Sequence, residues 1–278
     1  QLRQVSAGDA VRVVLVFAET TSRSDFVTAM GLLRQLRSVF ADSAGTIELV
    51  AITQGAELVG HEKHAGPWQS ALLAALRAFS IEEKAHCIGT IDLEPDAAGP
   101  PDLANLCRGP LTSRRVAVRE GVVTAASLSK SAGGAAQQFH CNREGVYFIT
   151  GGTGALGRIF ARWLIEHGAG NVVLASRRGM GGTPEQRHEL EQLCAWAVER
   201  GAAITVLAAD LTNVDELDAS LTAARELGPL RGIIHAAAAG EEAPIAAMDD
   251  NVWATVLSAK TYVAVTLSEL TSADELEF

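Results

Sequence analysis

Residues 146–158 read VYFITGGTGALGR, a short apolar run that passes directly into glycines and then into an amphipathic segment. Val, Tyr, Phe, Ile and Thr suit a buried pleated strand. Gly152, Gly154 and Gly157 then fit G-x-G-x-x-G between a strand and a helix, the context in which that spacing carries meaning. One glycine permits the tight turn, one lets the backbone approach a pyrophosphate, and one allows close helix–strand packing. The helix that follows offers free N–H groups and the positive end of its dipole to an anion. Thr150, Thr153, Ala155 and Leu156 flank the glycines and complete the predicted phosphate-binding crossing. On the predicted helix Ala155–His167, Leu156, Ile159, Phe160, Trp163 and Leu164 form one apolar face, with Arg158, Arg162 and Glu166 opposite.

The next strand, Asn171–Ala175, ends in Ser176-Arg177-Arg178. A site selective for NAD would carry an acidic residue there to hold the ribose hydroxyls. A serine and two arginines suit a 2′-phosphate instead, because guanidinium groups bind phosphate oxygens through paired, charge-assisted hydrogen bonds. The cofactor predicted is therefore NADPH. Outward from this unit the rhythm continues. A helix at Pro184–Arg200 is announced by Thr183 as N-cap, with Pro184 at the first helical position and Gln186 three residues after the cap. Strand Ala203–Ala208, a helix after Thr212, strand Gly232–His235 and a long helix near Asp249–Leu270 complete it.

The first half repeats the alternation. Strand Val11–Ala18 precedes a helix at about Asp25–Phe40 whose apolar stripe is Phe26, Met30, Leu33, Leu36 and Phe40, with Arg34 and Arg37 off that face. Strand Ile47–Thr53, a helix near Trp68–Phe79 and strand Cys87–Leu93 follow. Arg115–Leu128 reads as a hairpin turning at Glu120-Gly121. The crossing after the first strand, ETTSRSDF, has no glycine, so a dinucleotide could not approach that backbone closely. The run KSAGGAAQQ, 130–138, reads as a linker. The fold expected is α/β: two Rossmann-like subdomains with parallel sheets, residues 1–142 a truncated structural copy and 143–278 nucleotide-binding.

Composition narrows the function. Of 278 residues, 48% are hydrophobic and 20% charged, an ordinary globular balance, and no apolar run approaches the about 20 residues that cross a bilayer. A formal net charge of −10 argues against a nucleic-acid surface, which needs clustered Lys and Arg. Cys87, Cys107, Cys141 and Cys194 are scattered without a CxxC pair, so neither a zinc site nor a disulfide framework is expected and free thiols in a reducing cytoplasm are. The predicted location is cytoplasmic, with no metal, membrane or nucleic-acid partner.

With ITGGTGALGR, VVLASRRG, AADLTN, GIIHAAA and a helix carrying SAK, the stretch from Gly145 to Phe278 resembles short-chain dehydrogenase/reductases, and specifically the ketoreductase domains of modular polyketide synthases. ITQGAELVG, GPWQSALLAALRAFSIE and TIDLEPD make the first half similar to the catalytically empty subdomain that precedes the catalytic one in those ketoreductases. The resemblance implies NADPH-dependent reduction of the β-keto group of an acyl chain tethered to an acyl carrier protein, within a multidomain synthase whose neighbouring domains are further partners. It places Asp210 and Leu211 at the adenine, although Asp210 also sits where a turn or cap residue would. It places Ala236 and Ala237 on the nicotinamide side.

Lys260 is the candidate catalytic residue. On the predicted long helix it lies at i+7 from Trp253, on the same stripe as Val256, Leu257, Ala264 and Leu267. A lysine aimed at an apolar face needs partners or must snorkel. In the resembled family a lysine here lowers the pKa of the catalytic tyrosine and holds the nicotinamide ribose. The family's serine, tyrosine and asparagine belong to the next strand and helix, so the chain ending in DELEF is expected to lack them and, by itself, to be inactive. Two departures stand out: Ala238 occupies a position the family usually gives to glycine, and Gly240-Glu241-Glu242 replaces the stereochemical marker Leu-Asp-Asp. His235 reads as a strand-end core residue. The alternative to an enzyme domain is a non-catalytic pseudo-ketoreductase kept as a structural module.

Overall fold

The computed structural model describes residues 11–17, 21–41, 47–60, 65–83, 87–95, 115–130, 139–238 and 243–278. The chain divides into two compact units, one built from the residues up to 132 together with 242–250, the other from 133–241 and 251–278. Residues 243–250 therefore pack with the first unit although they lie within 143–278.

In the first unit the strands are β1 (Val11–Val16), β2 (Ile47–Gln54), β3 (Cys87–Leu93), β4 (Arg115–Arg119) and β5 (Val122–Ala125), and the helices are α1 (Arg23–Ala41) and α2 (Pro67–Glu82). The sheet order is β1-β2-β3-β4-β5, parallel through β4, with β5 antiparallel to it. Glu120 (φ 50) and Gly121 (φ 75) both take left-handed backbone, the requirement of the tight two-residue hairpin turn expected there. The α1 stripe Phe26, Met30, Leu33, Leu36 and Phe40 is buried, and Phe40 meets Phe79 of α2 at 5.9 Å between ring centres. Off that face, Arg34 donates to the Met248 carbonyl at 3.0 Å, and Glu82 accepts from the backbone N–H of Ile245 at 3.0 Å. These contacts hold residues 245–250 to α1 and α2.

Each successive strand of this sheet adds to the same side, so the described strands contain no reversal of winding of the kind that opens a crevice at strand ends. The C-terminal end of β3 is instead filled from within. The Asp92 carboxylate, 1% exposed, accepts from Thr53 Oγ1 (2.7 Å), the backbone N–H groups of Ala56 (2.9 Å) and Glu57 (3.1 Å), and Arg119 (2.8 Å). A buried charge is tolerable when paired and hydrogen-bonded in this way. The Ala56 and Glu57 amides are thus bound to an internal anion and not left open to a ligand.

The second unit contains β6 (Val146–Thr150), α3 (Ala155–Glu166), β7 (Asn171–Ser176), α4 (Pro184–Glu199), β8 (Ala203–Ala208), α5 (Val214–Arg225), β9 (Leu230–His235), α6 (Asp250–Leu257, in this unit from Asn251 on) and α7 (Val263–Leu270). Its sheet is parallel, in the order β8-β7-β6-β9. The chain winds outward through β7 and β8, then returns to the far side of β6, which makes the β6/β9 boundary the switch point. Every residue of β6 is buried, as expected of a central parallel strand covered on both faces. Tyr147 and Ile149 face the core with Leu164, Ile165, Leu190 and Leu193 of α3 and α4, whereas Val146 and Phe148 face Leu217, Leu221, Val263 and Leu267 of α5 and α7. The predicted cap of α4 forms: Gln186 N–H donates to Thr183 Oγ1 and Thr183 N–H to Gln186 Oε1. Beside β9, Ile233 N–H donates to the Phe278 carbonyl (3.1 Å) and Glu277 N–H to that of Arg231 (2.6 Å), so the residues after α7 run along this edge.

Two helical faces differ from the sequence reading. On α3 the buried residues are Gly157, Ala161, Leu164 and Ile165, while Leu156 (62%) and Ile159 (61%) are exposed. The helix approaches the sheet through its smallest side chains: a Cβ on Gly157 would lie 2.5 Å from Gly152 Cα. Of the bulky residues expected in the core, Leu164 is buried and Phe160 packs against the same buried cluster, whereas Leu156 and Ile159 are turned away and Trp163, 38% exposed, stacks on Phe139 at 5.1 Å. The predicted long helix forms as α6 and α7 joined by a π turn, Ser258–Tyr262. A π turn holds an additional residue, so the phase beyond it shifts. The buried set becomes Trp253, Leu257, Ala259, Val263, Thr266 and Leu267, whereas Lys260 and Ala264 are exposed. The placement of Lys260 on the apolar stripe is corrected accordingly.

Candidate active site

The strand ends at the switch point open into a cavity of about 800 Å³. Its base is the crossing from β6 to α3. Gly151 there has φ 63, and a Cβ on it would lie 2.7 Å from Ala237 Cα; on Gly152 it would lie 2.7 Å from Leu174 Cα. These are backbone approaches that no side chain could accommodate without moving the chain. Gly154, the N-cap of α3, supplies no side chain to cap the helix. The first amides of α3 are thus donors without an intrahelical acceptor, and Gly154, Ala155, Leu156 and Gly157 line the cavity.

Thr153 Oγ1 donates to Ser176 Oγ at 2.8 Å, tying this crossing to the end of β7, and Ser176 Oγ accepts from Gly179 N–H at 3.1 Å. That turn presents Arg177 and Arg178 along the cavity wall, and neither has an ion pair among the described residues. Asp210 lies beyond β8. Its carboxylate accepts from the Thr212 hydroxyl (2.7 Å) and N–H (3.1 Å), and the Thr212 hydroxyl above all, with the charge of Arg177 in support, holds its pKa below the ordinary carboxylate range. Asp210 thus closes its own turn and lines the cavity as well.

Of the residues singled out from the sequence, Thr153, Gly154, Ala155, Leu156, Gly157, Ser176, Arg177, Arg178, Asp210, Leu211, Ala236 and Ala237 border the cavity together. Thr150 and Gly152 sit beneath it, Thr150 wholly buried. Lys260 is not among the lining residues, although its neighbours Ser258 and Ala259 are. Residues 240–242, matched to the stereochemical marker, lie outside the described residues, as do 131–138 of the expected linker. Ala238 is exposed and lines the cavity.

Two contributors were not assigned to the site from the sequence: Gly151 was not singled out, and His235 was read as a strand-end core residue. Gly151 carries the left-handed residue of the crossing, and the signal available was the doubled glycine. His235 is the other. It is half-buried, and its ring joins Thr150 of β6 (Nδ1 to Oγ1, 2.6 Å) to the Lys260 carbonyl of the π turn (Nε2 to O, 3.0 Å). Among the described residues no cluster of His, Cys, Asp and Glu could hold a metal ion, and no helix is long and apolar enough to cross a membrane.

Residues 145–278 match a family model described as KR domain. Over 239 residues the chain is 31% identical to the pikromycin polyketide synthase component PikAIII of Streptomyces venezuelae, covering 82% of this chain and 15% of that protein. Over 138 residues it is 38% identical to erythronolide synthase EryA2 of Saccharopolyspora erythraea, covering 49% of this chain and 4% of that one. Among solved structures it superposes on the first ketoreductase of the tylosin PKS with a TM-score of 0.81 at 26% identity, over 97% of this chain and 56% of that chain. The chain therefore spans a small part of its curated relatives and about half of that ketoreductase.

Proposed function

Residues 145–278 belong to the KR-domain family, and from that membership we propose that the chain is the NADPH-binding part of a ketoreductase that reduces a β-keto group on an acyl carrier protein-bound polyketide intermediate. The observation that carries the cofactor assignment is the pairing of two features in one cavity: uncapped amides over a glycine floor, and on its wall two guanidinium groups with no ion pair among the described residues. The α3 amides would hold the pyrophosphate. Arg177 and Arg178 would hold the 2′-phosphate, with Ser176 fixing their turn. Asp210 and Leu211 would flank the adenine, and Ala236 and Ala237 the nicotinamide. When bound, NADPH supplies the hydride that converts the ketone to a hydroxyl. Lys260 would reach the nicotinamide ribose from the π turn. The neighbouring domains of a multidomain synthase are the expected partners.

Equilibrium titration of the purified chain with NADPH and with NADH tests this reading. The expected result is NADPH binding at least tenfold tighter, with the preference reduced by roughly 10-fold or more in Arg177→Ala and Arg178→Ala, since a hydrogen bond to a charged group contributes about 1.5–3 kcal/mol. Equal affinity for the two nucleotides contradicts it.

A further inference from the structure

The residue that links the floor of the cavity to the π turn is His235, and nothing in the cofactor reading uses it. A carbonyl oxygen can only accept, so the 3.0 Å contact with the Lys260 carbonyl requires His235 Nε2 to carry the proton. In the neutral ring Nδ1 is then the acceptor, and the Thr150 hydroxyl donates to it at 2.6 Å. The Thr150 oxygen in turn accepts the backbone N–H of Ala237 at 3.2 Å. One directed chain thus runs Ala237 N–H, Thr150 hydroxyl, His235 ring, Lys260 carbonyl. It joins the ends of β6 and β9 to a helical turn far away in sequence.

The turn it reaches is the irregular one. Val263 N–H bonds back to the Ser258 carbonyl, the five-residue step that defines a π turn. Such turns are uncommon and concentrate at functional positions. Here it moves Lys260 out of the buried stripe that a regular helix would give it and leaves Ser258 and Ala259 on the cavity wall. Beside the buried side chains of Ala259 and Val263, the His235 ring holds this turn from outside the helix, at the Lys260 carbonyl.

We propose that His235 is a positioning residue that clamps the π turn to the strand ends and so sets the place from which Lys260 meets the nicotinamide end of the cofactor. This rests on the NADPH reading above and adds to it a residue that touches neither cofactor nor substrate. Its ring is held from both sides, by Thr150 Oγ1 at Nδ1 and by the Lys260 carbonyl at Nε2. A side chain that keeps a terminal N–H, such as glutamine, preserves the clamp, whereas alanine removes it.

The test compares two ligands on the whole chain: NADPH, followed by its nicotinamide fluorescence, and adenosine 2′,5′-bisphosphate, which has the adenine end alone. His235→Ala is expected to weaken NADPH about tenfold and leave the bisphosphate within about twofold, while His235→Gln recovers most of the loss. Thr150→Val, which keeps the volume and removes the hydroxyl, shows the same split at about threefold. In a Lys260→Ala background, His235→Ala adds little further, because the clamp acts on affinity through the Lys260 side chain, which that background lacks although the clamped carbonyl remains. Unchanged NADPH affinity, a parallel loss for both ligands, glutamine as poor as alanine, or additive losses with Lys260→Ala each overturn the proposal. Failure of the unsubstituted chain to bind NADPH is a different result, and overturns the cofactor reading itself.

Discussion

The glycines of the crossing are not equivalent, and the spacing that marks them does not rank them. A Cβ on Gly157 would fall 2.5 Å from both the Cα and the carbonyl oxygen of Gly152, backbone atoms that cannot swing aside. A Cβ on Gly154 meets only the Gly151 carbonyl, at 3.2 Å, and Gly154 has ordinary extended backbone (φ −74, ψ 172). Gly157→Ala is therefore expected to lower stability by about 1–3 kcal/mol, and Gly154→Ala by less than about 1 kcal/mol, in urea unfolding. Equal losses would mean that the two glycines do not differ in packing. The local pattern made Gly152, Gly154 and Gly157 legible. Gly151 and His235 were not, because what they do depends on Ala237 and Lys260, which neither local spacing nor propensity brings near.

At the scale of elements, strands and turns were read more faithfully than helical faces. The hairpin at Glu120-Gly121, the capping box at Thr183 and the α1 stripe all follow from local chemistry, and all form. The face of α3 follows in part: Leu164 is buried as read, but hydrophobicity also points to Leu156 and Ile159, while the close approach at Gly157 selects Ala161 and Ile165. Leu164→Ala is expected to cost about 2–5 kcal/mol and Ile159→Ala no more than about 1 kcal/mol by the same unfolding measurement, whereas the sequence-derived face would make the losses alike. Lys260 was displaced for a related reason. A 3.6-residue period has no means of announcing the π turn at Ser258–Tyr262, so Lys260 and Ala264 were placed on the stripe in error while Leu257 and Leu267 were placed on it correctly.

At the scale of the whole molecule, two α/β units of similar rhythm differ in whether their strand ends are available. The alternation was plain in the sequence, as was the missing glycine after β1. The strand orders were not, because they are set by which strand pairs with which. In the first unit the described strands wind in one direction and Asp92 takes the amides of Ala56 and Glu57; in the second the winding reverses beside β6 and leaves the α3 amides to a ligand. Nucleotide binding should therefore be confined to the second unit. Hydrogen exchange across the chain, with and without saturating NADPH, reads this directly. Slower exchange is predicted in peptides covering 151–157 and 176–178, with β2, β3 and α1 of the first unit unchanged. Protection centred on the first unit, with 151–157 exchanging as before, would contradict the account.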